Sequence, residues 1–129
     1  MGYALGMSTF KVDRVARNVK DEDRATLPVE VVVDSSSLLS WLPSSLLDAA
    51  GIAPRKYSSF TTATGEMVNR AVGYAILSAG GFESPDEAVF GEPGDMSLLG
   101  VRTIEGFGVN VDYIARRFLA RTMLVAAAG

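Results

Sequence analysis

Asp34 closes a run of valines, Val31-Val32-Val33-Asp34, and three serines follow it at once, Ser35, Ser36 and Ser37. A carboxylate at the end of a β-branched strand is carried to the rim of a sheet, where it can take a proton from water or return one to a carbonyl oxygen. Taken alone, such an aspartate also reads as a turn cap, because its side chain accepts hydrogen bonds from the backbone N–H groups that follow it. The missing residue types narrow the chemistry. The chain has no Cys and no His, which removes thiolate nucleophiles, Ser-His-Asp and Cys-His arrangements and the usual zinc ligand sets. Catalysis then has to run on carboxylates, hydroxyls, Lys, Arg or Tyr, with no metal and no cofactor expected.

The other carboxylates are weaker candidates. Asp21, Glu22 and Asp23 belong to a charged run, Asp48 is expected on a helix surface, and Asp95 lies in a Gly/Pro loop. Asp112 follows an alternating segment and is expected to be half-buried with a structural role.

The elements that must position Asp34 are mostly short strands. Residues 8–19 are β-compatible, the charged run 20–24 reads as an exposed turn, and 29–33 is a strand whose continuous valines suit cover on both faces. Trp41-Leu42-Pro43 is expected to stop the strand pattern and lead into a short helix over 44–50. That helix is N-capped by Ser44 or Ser45, turns Leu46, Leu47 and Ala50 inward, and is closed by Gly51. Residues 56–72 read as two strands joined at Ala63, Thr64, Gly65 and Glu66, with Gly65 supplying the positive φ of a tight turn. A second pair, 73–79 and 87–90, surrounds Gly80-Gly81, and a loop follows at 91–94. Met96-Ser97-Leu98-Leu99-Gly100 is a short apolar strand, 101–107 a second helix ended by Gly108, and 109–113 and 116–124 two further strands. Eight or more short strands with one or two short helices predict an all-β barrel or sandwich-like fold.

At 129 residues and 48% hydrophobic content, the chain has enough material for one core and too little for two ordinary domains. A single domain is expected over 8–129, with 1–7 as leader or vector residues. Twelve basic and fifteen acidic residues are interspersed for a net charge of −3, which argues against nucleic acid as a partner. No stretch approaches the roughly 18 apolar residues of a membrane span, and the first seven residues have no signal-peptide pattern. The expected location is cytoplasmic, with no membrane partner.

The run Val31-Val32-Val33-Asp34-Ser35-Ser36-Ser37, then Trp41-Leu42-Pro43 and the Leu46-Leu47 helix, resembles the active-site segment of bacterial retropepsin-like aspartic proteases, of the retroviral type. Phe60-Thr61-Thr62-Ala63-Thr64-Gly65-Glu66 is similar to the family's flap hairpin. Leu98-Leu99-Gly100 is similar to the apolar-apolar-Gly element that crosses behind the active-site loop. The resemblance spans roughly 10–119. It implies a retropepsin-like acid protease barrel with its active site at a homodimer interface, because one chain supplies a single Asp34 and the chemistry takes two. Two facing carboxylates cannot both ionise cheaply, so one keeps a proton while the other activates a shared water.

The resemblance further implies that Ser35 ties the two active-site loops together, that Ala63, Thr64, Gly65 and Glu66 cover an extended peptide or protein substrate, and that Leu98, Leu99 and Gly100 support the loop. One position departs from the pattern. Ser36 stands where the family has Gly, and a side chain there is expected to strain the loop or crowd the cleft. The alternative reading is therefore a relative that binds extended peptides without cleaving them, and a third is a structural domain that shares only the barrel.

Overall fold

A computed structural model of the chain describes residues 9–122. The leader expected over 1–7 and the 123–124 end of the last expected strand lie outside the described residues. Among the described residues there are ten strands and two short helices, a mostly β fold as the sequence predicts.

Strand β1 (Thr9–Asn18) runs antiparallel to β3 (Val29–Asp34), from Thr9↔Asp34 to Arg14↔Val29. Its second half then turns against β6 (Met67–Ala79), from Arg14↔Ala79 to Asn18↔Ala75. β6 pairs with β7 (Phe82–Gly91), and β7 lies parallel to β4 (Ser40–Pro43). The two-residue strand β8 (Leu98–Leu99) lies between β4 and β3. The pairings therefore close a ring of six strands, β1-β3-β8-β4-β7-β6 and back to β1. The eight-stranded sheet that holds this ring ends in two strands, β2 (Asp21–Ala25) beside β1 and β5 (Lys56–Thr61) beside β6.

Alternation explains what the ring encloses. On β3, Val31 and Val33 are sealed in the core while Val32 and Asp34 are half-buried. Leu42, Leu77, Ala75, Ala88 and Leu99 fill the same interior. Helix α1 (Ser44–Ala49) adds the fully buried Leu47. Helix α2 (Val101–Phe107) and the hairpin of β9 (Val109–Asp112) and β10 (Arg117–Ala120) cover one end through aromatic contacts. Phe118 lies 5.8 Å from both Phe10 and Phe107, and Phe82 lies 6.2 Å from Phe107, ring centre to ring centre.

Four local expectations are corrected. Residues 21–25 form a strand, because an edge strand with neither face covered needs no apolar side chains, and its charges guard the edge. Ser40 to Pro43 is also a strand, since proline at a strand's last residue removes no ladder bond that is needed. The α1 N-cap is Pro43 with no side-chain cap bond, in place of Ser44 or Ser45. Finally, 67–79 is one continuous strand that changes partner along its length, from β5 to β7 and β1, where local punctuation suggested two.

Candidate functional site

Asp34 is the last residue of β3, and the turn after it is built on its own carboxylate. Oδ1 accepts two hydrogen bonds from Ser36, one from the backbone N–H at 2.9 Å and one from the hydroxyl at 2.6 Å. The Asp34 carbonyl accepts the N–H of Ser37 at 3.2 Å. Oδ2 has no hydrogen-bond partner among the described residues. Ser35 and Ser36 are exposed, and Leu38 is 63% exposed.

The turn is not strained by Ser36. Arg116 is the one non-glycine residue with positive φ among the described residues, so Ser36 keeps an ordinary backbone conformation and its side chain acts through its hydroxyl instead.

Behind the turn runs β8. Consecutive strands joined by a short loop usually pair with each other, yet β3 and β4 do not: β8 threads between them, parallel to β3 through Val32↔Leu98 and Val33↔Leu99 and antiparallel to β4 at Trp41↔Leu98. The loop then clasps the start of α2. The carbonyls of Ser37 and Leu38 accept the N–H groups of Val101 at 2.8 Å and Arg102 at 3.1 Å, satisfying two of the donors a helix start leaves open. Ser37 closes on itself by donating to the Leu39 carbonyl at 2.7 Å. Gly100 is required by this closeness, because a Cβ there would meet the backbone carbonyls of Leu38 and Leu39.

Beneath the clasp lies a buried relay. The Thr103 hydroxyl donates to Asp86 Oδ2 at 2.9 Å. Its single proton is thereby used, so the 2.7 Å contact between Ser40 Oγ and Thr103 Oγ1 has Ser40 as donor. Ser40 in turn accepts the Gly100 N–H at 2.9 Å. One chain of bonds thus joins β7, α2, β4 and the end of β8.

The hairpin of β5 and β6 rises beside this turn. β6 leaves β7 after Val72↔Val89, so 67–71 pair with β5 alone as a projecting arm. Its tip is fixed by the Thr62 N–H donating to the Glu66 carbonyl and the Gly65 N–H to the Thr62 carbonyl, with Gly65 at φ 86° as expected. Ala63, Thr64, Gly65 and Glu66 are all exposed. Phe60 packs edge-on against Trp41 at 5.1 Å, tying the arm to the strand that follows the Asp34 turn. Arg70 grips the base of the arm through two bonds to Asp95, 2.7 and 3.0 Å, and Asp95 also accepts the Glu92 N–H. The Arg70 guanidinium holds the Asp95 carboxyl below its usual range.

Three other carboxylates are engaged elsewhere. Asp95 is spent on Arg70. Asp112 Oδ1 accepts the N–H groups of Ile114 and Ala115 and shapes a turn. Glu87, held below the usual carboxylate range chiefly by the Lys56 ammonium 2.6 Å away, also pairs with Arg102. Among the described residues, no three His, Cys, Asp or Glu side chains converge to hold a metal ion. Comparison of the chain with family models, curated proteins and solved structures gives no match. No described helix is long and apolar enough to cross a membrane.

The geometry therefore brings Asp34, Ser35, Ser36 and Ser37 together with Leu98, Leu99 and Gly100. It links the arm that carries the tip Ala63–Glu66 to them indirectly, through Phe60 on Trp41 and through Arg70 on Asp95. A cleft of about 290 Å³ opens between 42–45 and 91–97, and Asp34 lies outside it. Sequence reasoning missed Arg14, Ser40, Arg70, Asp86 and Thr103. Arg14 alone left a local signal, since it falls on the inward phase of β1 with Phe10, Val12 and Ala16.

Proposed function

We propose that the chain is one half of a homodimeric aspartic endopeptidase in which two copies of Asp34 share a water. One observation carries the reading. Asp34 ends a strand anchored in the core by Val31 and Val33, with Oδ1 held by Ser36 and Oδ2 without a partner among the described residues, on an exposed turn backed by a strand threaded between β3 and β4. A carboxylate so presented can face its copy across a two-fold axis, and the exposed Ser35, Ser36 and Leu38 are the surface such a copy would meet.

In this reading the ionised Asp34 takes a proton from the water as its oxygen attacks the peptide carbonyl. The protonated Asp34 of the second copy donates to the carbonyl oxygen, giving a neutral tetrahedral diol. Proton transfer to the amide nitrogen then lets the C–N bond break, leaving an acid and an amine. The arm would lie along an extended peptide and offer it backbone partners, as an added strand does.

The hydroxyl of Ser36, 2.6 Å from Oδ1, favours a second reading. It competes with the water and the second carboxylate for Asp34, so the same dimer would bind extended peptides without cutting them. Incubation with denatured casein at acidic and neutral pH, with and without a statine inhibitor, separates the two. Inhibitor-blocked cleavage supports the peptidase, and peptide binding without cleavage supports the second. A chain that stays monomeric by light scattering at high concentration, inhibitor included, overturns both.

A further inference from the structure

Arg14 is 1% exposed, and no other charged residue among those described is buried so completely. A buried cation is normally surrounded by partners. Among the described residues this one has a single bond: Nη1 donates to the Leu98 carbonyl at 3.2 Å, while Nε and Nη2 find no partner there. No carboxylate lies within ion-pair distance of it among the described residues. Burial lowers the guanidinium to about 9, with the charge of Asp86 acting in the opposite direction, so it remains a cation at neutral pH.

Stability does not explain such a residue. An apolar side chain of similar length on the inward phase of β1 would fill the space without leaving donors unmet, and exchanges of that kind are often neutral or stabilising. What Arg14 does supply is a grip on Leu98. β8 is two residues long and has only short ladders, to β3 through Val32↔Leu98 and Val33↔Leu99 and to β4 at Trp41↔Leu98; the side-chain hold that follows Leu98 is that of Ser40 on the Gly100 N–H. Arg14 and Ser40 thus pin β8 on either side of Leu99, and from β8 the chain passes into the helix start that accepts the loop after Asp34.

We propose that Arg14 is a positioning residue that holds the Leu98 carbonyl and, through β8, sets the placement of the Asp34 turn. This rests on the reading of Asp34 as the reacting carboxylate. Reacting groups displaced by about 1 Å lose roughly a hundredfold in rate, so a small shift of β8 is enough to matter.

The experiment compares the full chain with Arg14→Met and Arg14→Lys. Arg14→Met is expected to unfold in urea at the parent's midpoint or above it, while kcat falls at least about tenfold with KM little changed, since no group that touches substrate is removed. Arg14→Lys, which keeps a donor on a long stem, is expected to recover part of the loss. Amide hydrogen exchange at Ser35, Ser36 and Ser37 should quicken in Arg14→Met. Undiminished kcat in Arg14→Met overturns the proposal. So does a failure of both variants to fold, because stability would then be what the residue provides. If the parent cleaves nothing, the reading of Asp34 fails, and exchange still decides the role of Arg14: unchanged rates at Ser35 to Ser37 in Arg14→Met refute it.

Discussion

A methyl group added at Gly100 would enter the narrowest place in the molecule, against the backbone carbonyls of Leu38 and Leu39 where the loop after Asp34 folds over β8. Neither neighbour is a side chain that can rotate away, so either the loop or the strand has to move. Overpacking of this kind costs roughly 1–3 kcal/mol, and rigid backbone on the receiving side puts Gly100→Ala in the upper part of that range. Gly100 has φ −91°, which alanine adopts freely, so the substitution recovers about 0.4–1 kcal/mol by restricting the unfolded chain. The net loss is about 2 kcal/mol, or roughly 8 °C in Tm for a domain of this size. Urea denaturation should show a lower midpoint with an unchanged m-value. Exchange of the Val101 and Arg102 amides, whose acceptors are the Ser37 and Leu38 carbonyls, should quicken. Gly65→Ala is the comparison, because Gly65 has positive φ and no atom within 4 Å of the added carbon. It should lose about 1 kcal/mol from backbone conformation alone and leave those two amides untouched. A Gly100→Ala protein as stable as the parent, with the same exchange at Val101 and Arg102, would refute the idea that β8 is threaded tightly beneath the turn.

Asp34→Asn should abolish peptidase activity and leave the urea midpoint unchanged, because the amide keeps the shape and cannot serve as base; cleavage at the parent's rate would move the chemistry elsewhere. Ser36→Gly should raise kcat/KM by about tenfold, a change worth roughly 1.4 kcal/mol, by removing the hydroxyl bonded to Oδ1; equal or lower activity on the same peptide would show that this bond helps catalysis. Asp95 titrates below its unfolded value because Arg70 donates to it, so its contribution to stability is complete above about pH 4 and disappears as pH falls through the lower folded value. Asp95→Asn should flatten that part of the stability curve in urea denaturations from pH 2 to 6, and an unchanged slope would mean that the pair does not hold the arm.

The parts of the fold legible in the sequence are those fixed by neighbours in the chain. Gly65 and Gly108 take the positive φ expected of a tight turn and a helix end, helix 101–107 has its expected bounds, and Val31 and Val33 alternate inward. The misreadings occur where a distant strand decides. The charged run at 21–25 is held as a strand by β1, through Arg17↔Ala25 and Asn18↔Asp21. The long β6 is continuous because β5, β7 and β1 take successive parts of it. Nothing within a few residues of Gly73 reports that the strand passes through it.

The candidate site divides along the same line. Asp34 stands out locally because an acid ends a β-branched run, and Leu98-Leu99-Gly100 because three small or apolar residues precede a helix. Neither feature tells that one lies behind the other. That relation depends on β8 passing between two strands adjacent in sequence, more than sixty residues after Asp34, and the glycine that permits it is ordinary in composition. The residues that fix the crossing are less visible still. Ser40 reads as one more serine in a serine-rich loop, yet it both accepts from Gly100 and donates to Thr103. Arg14 reads as one of several cations on β1, yet it is sealed in the core on the carbonyl of Leu98. A carboxylate set on an exposed turn needs a firm support, and under the proposal made for Arg14 the buried Arg14 and Ser40 add side-chain bonds at the Leu98 carbonyl and the Gly100 N–H to the short ladders that hold β8, bonds that an apolar layer would not supply.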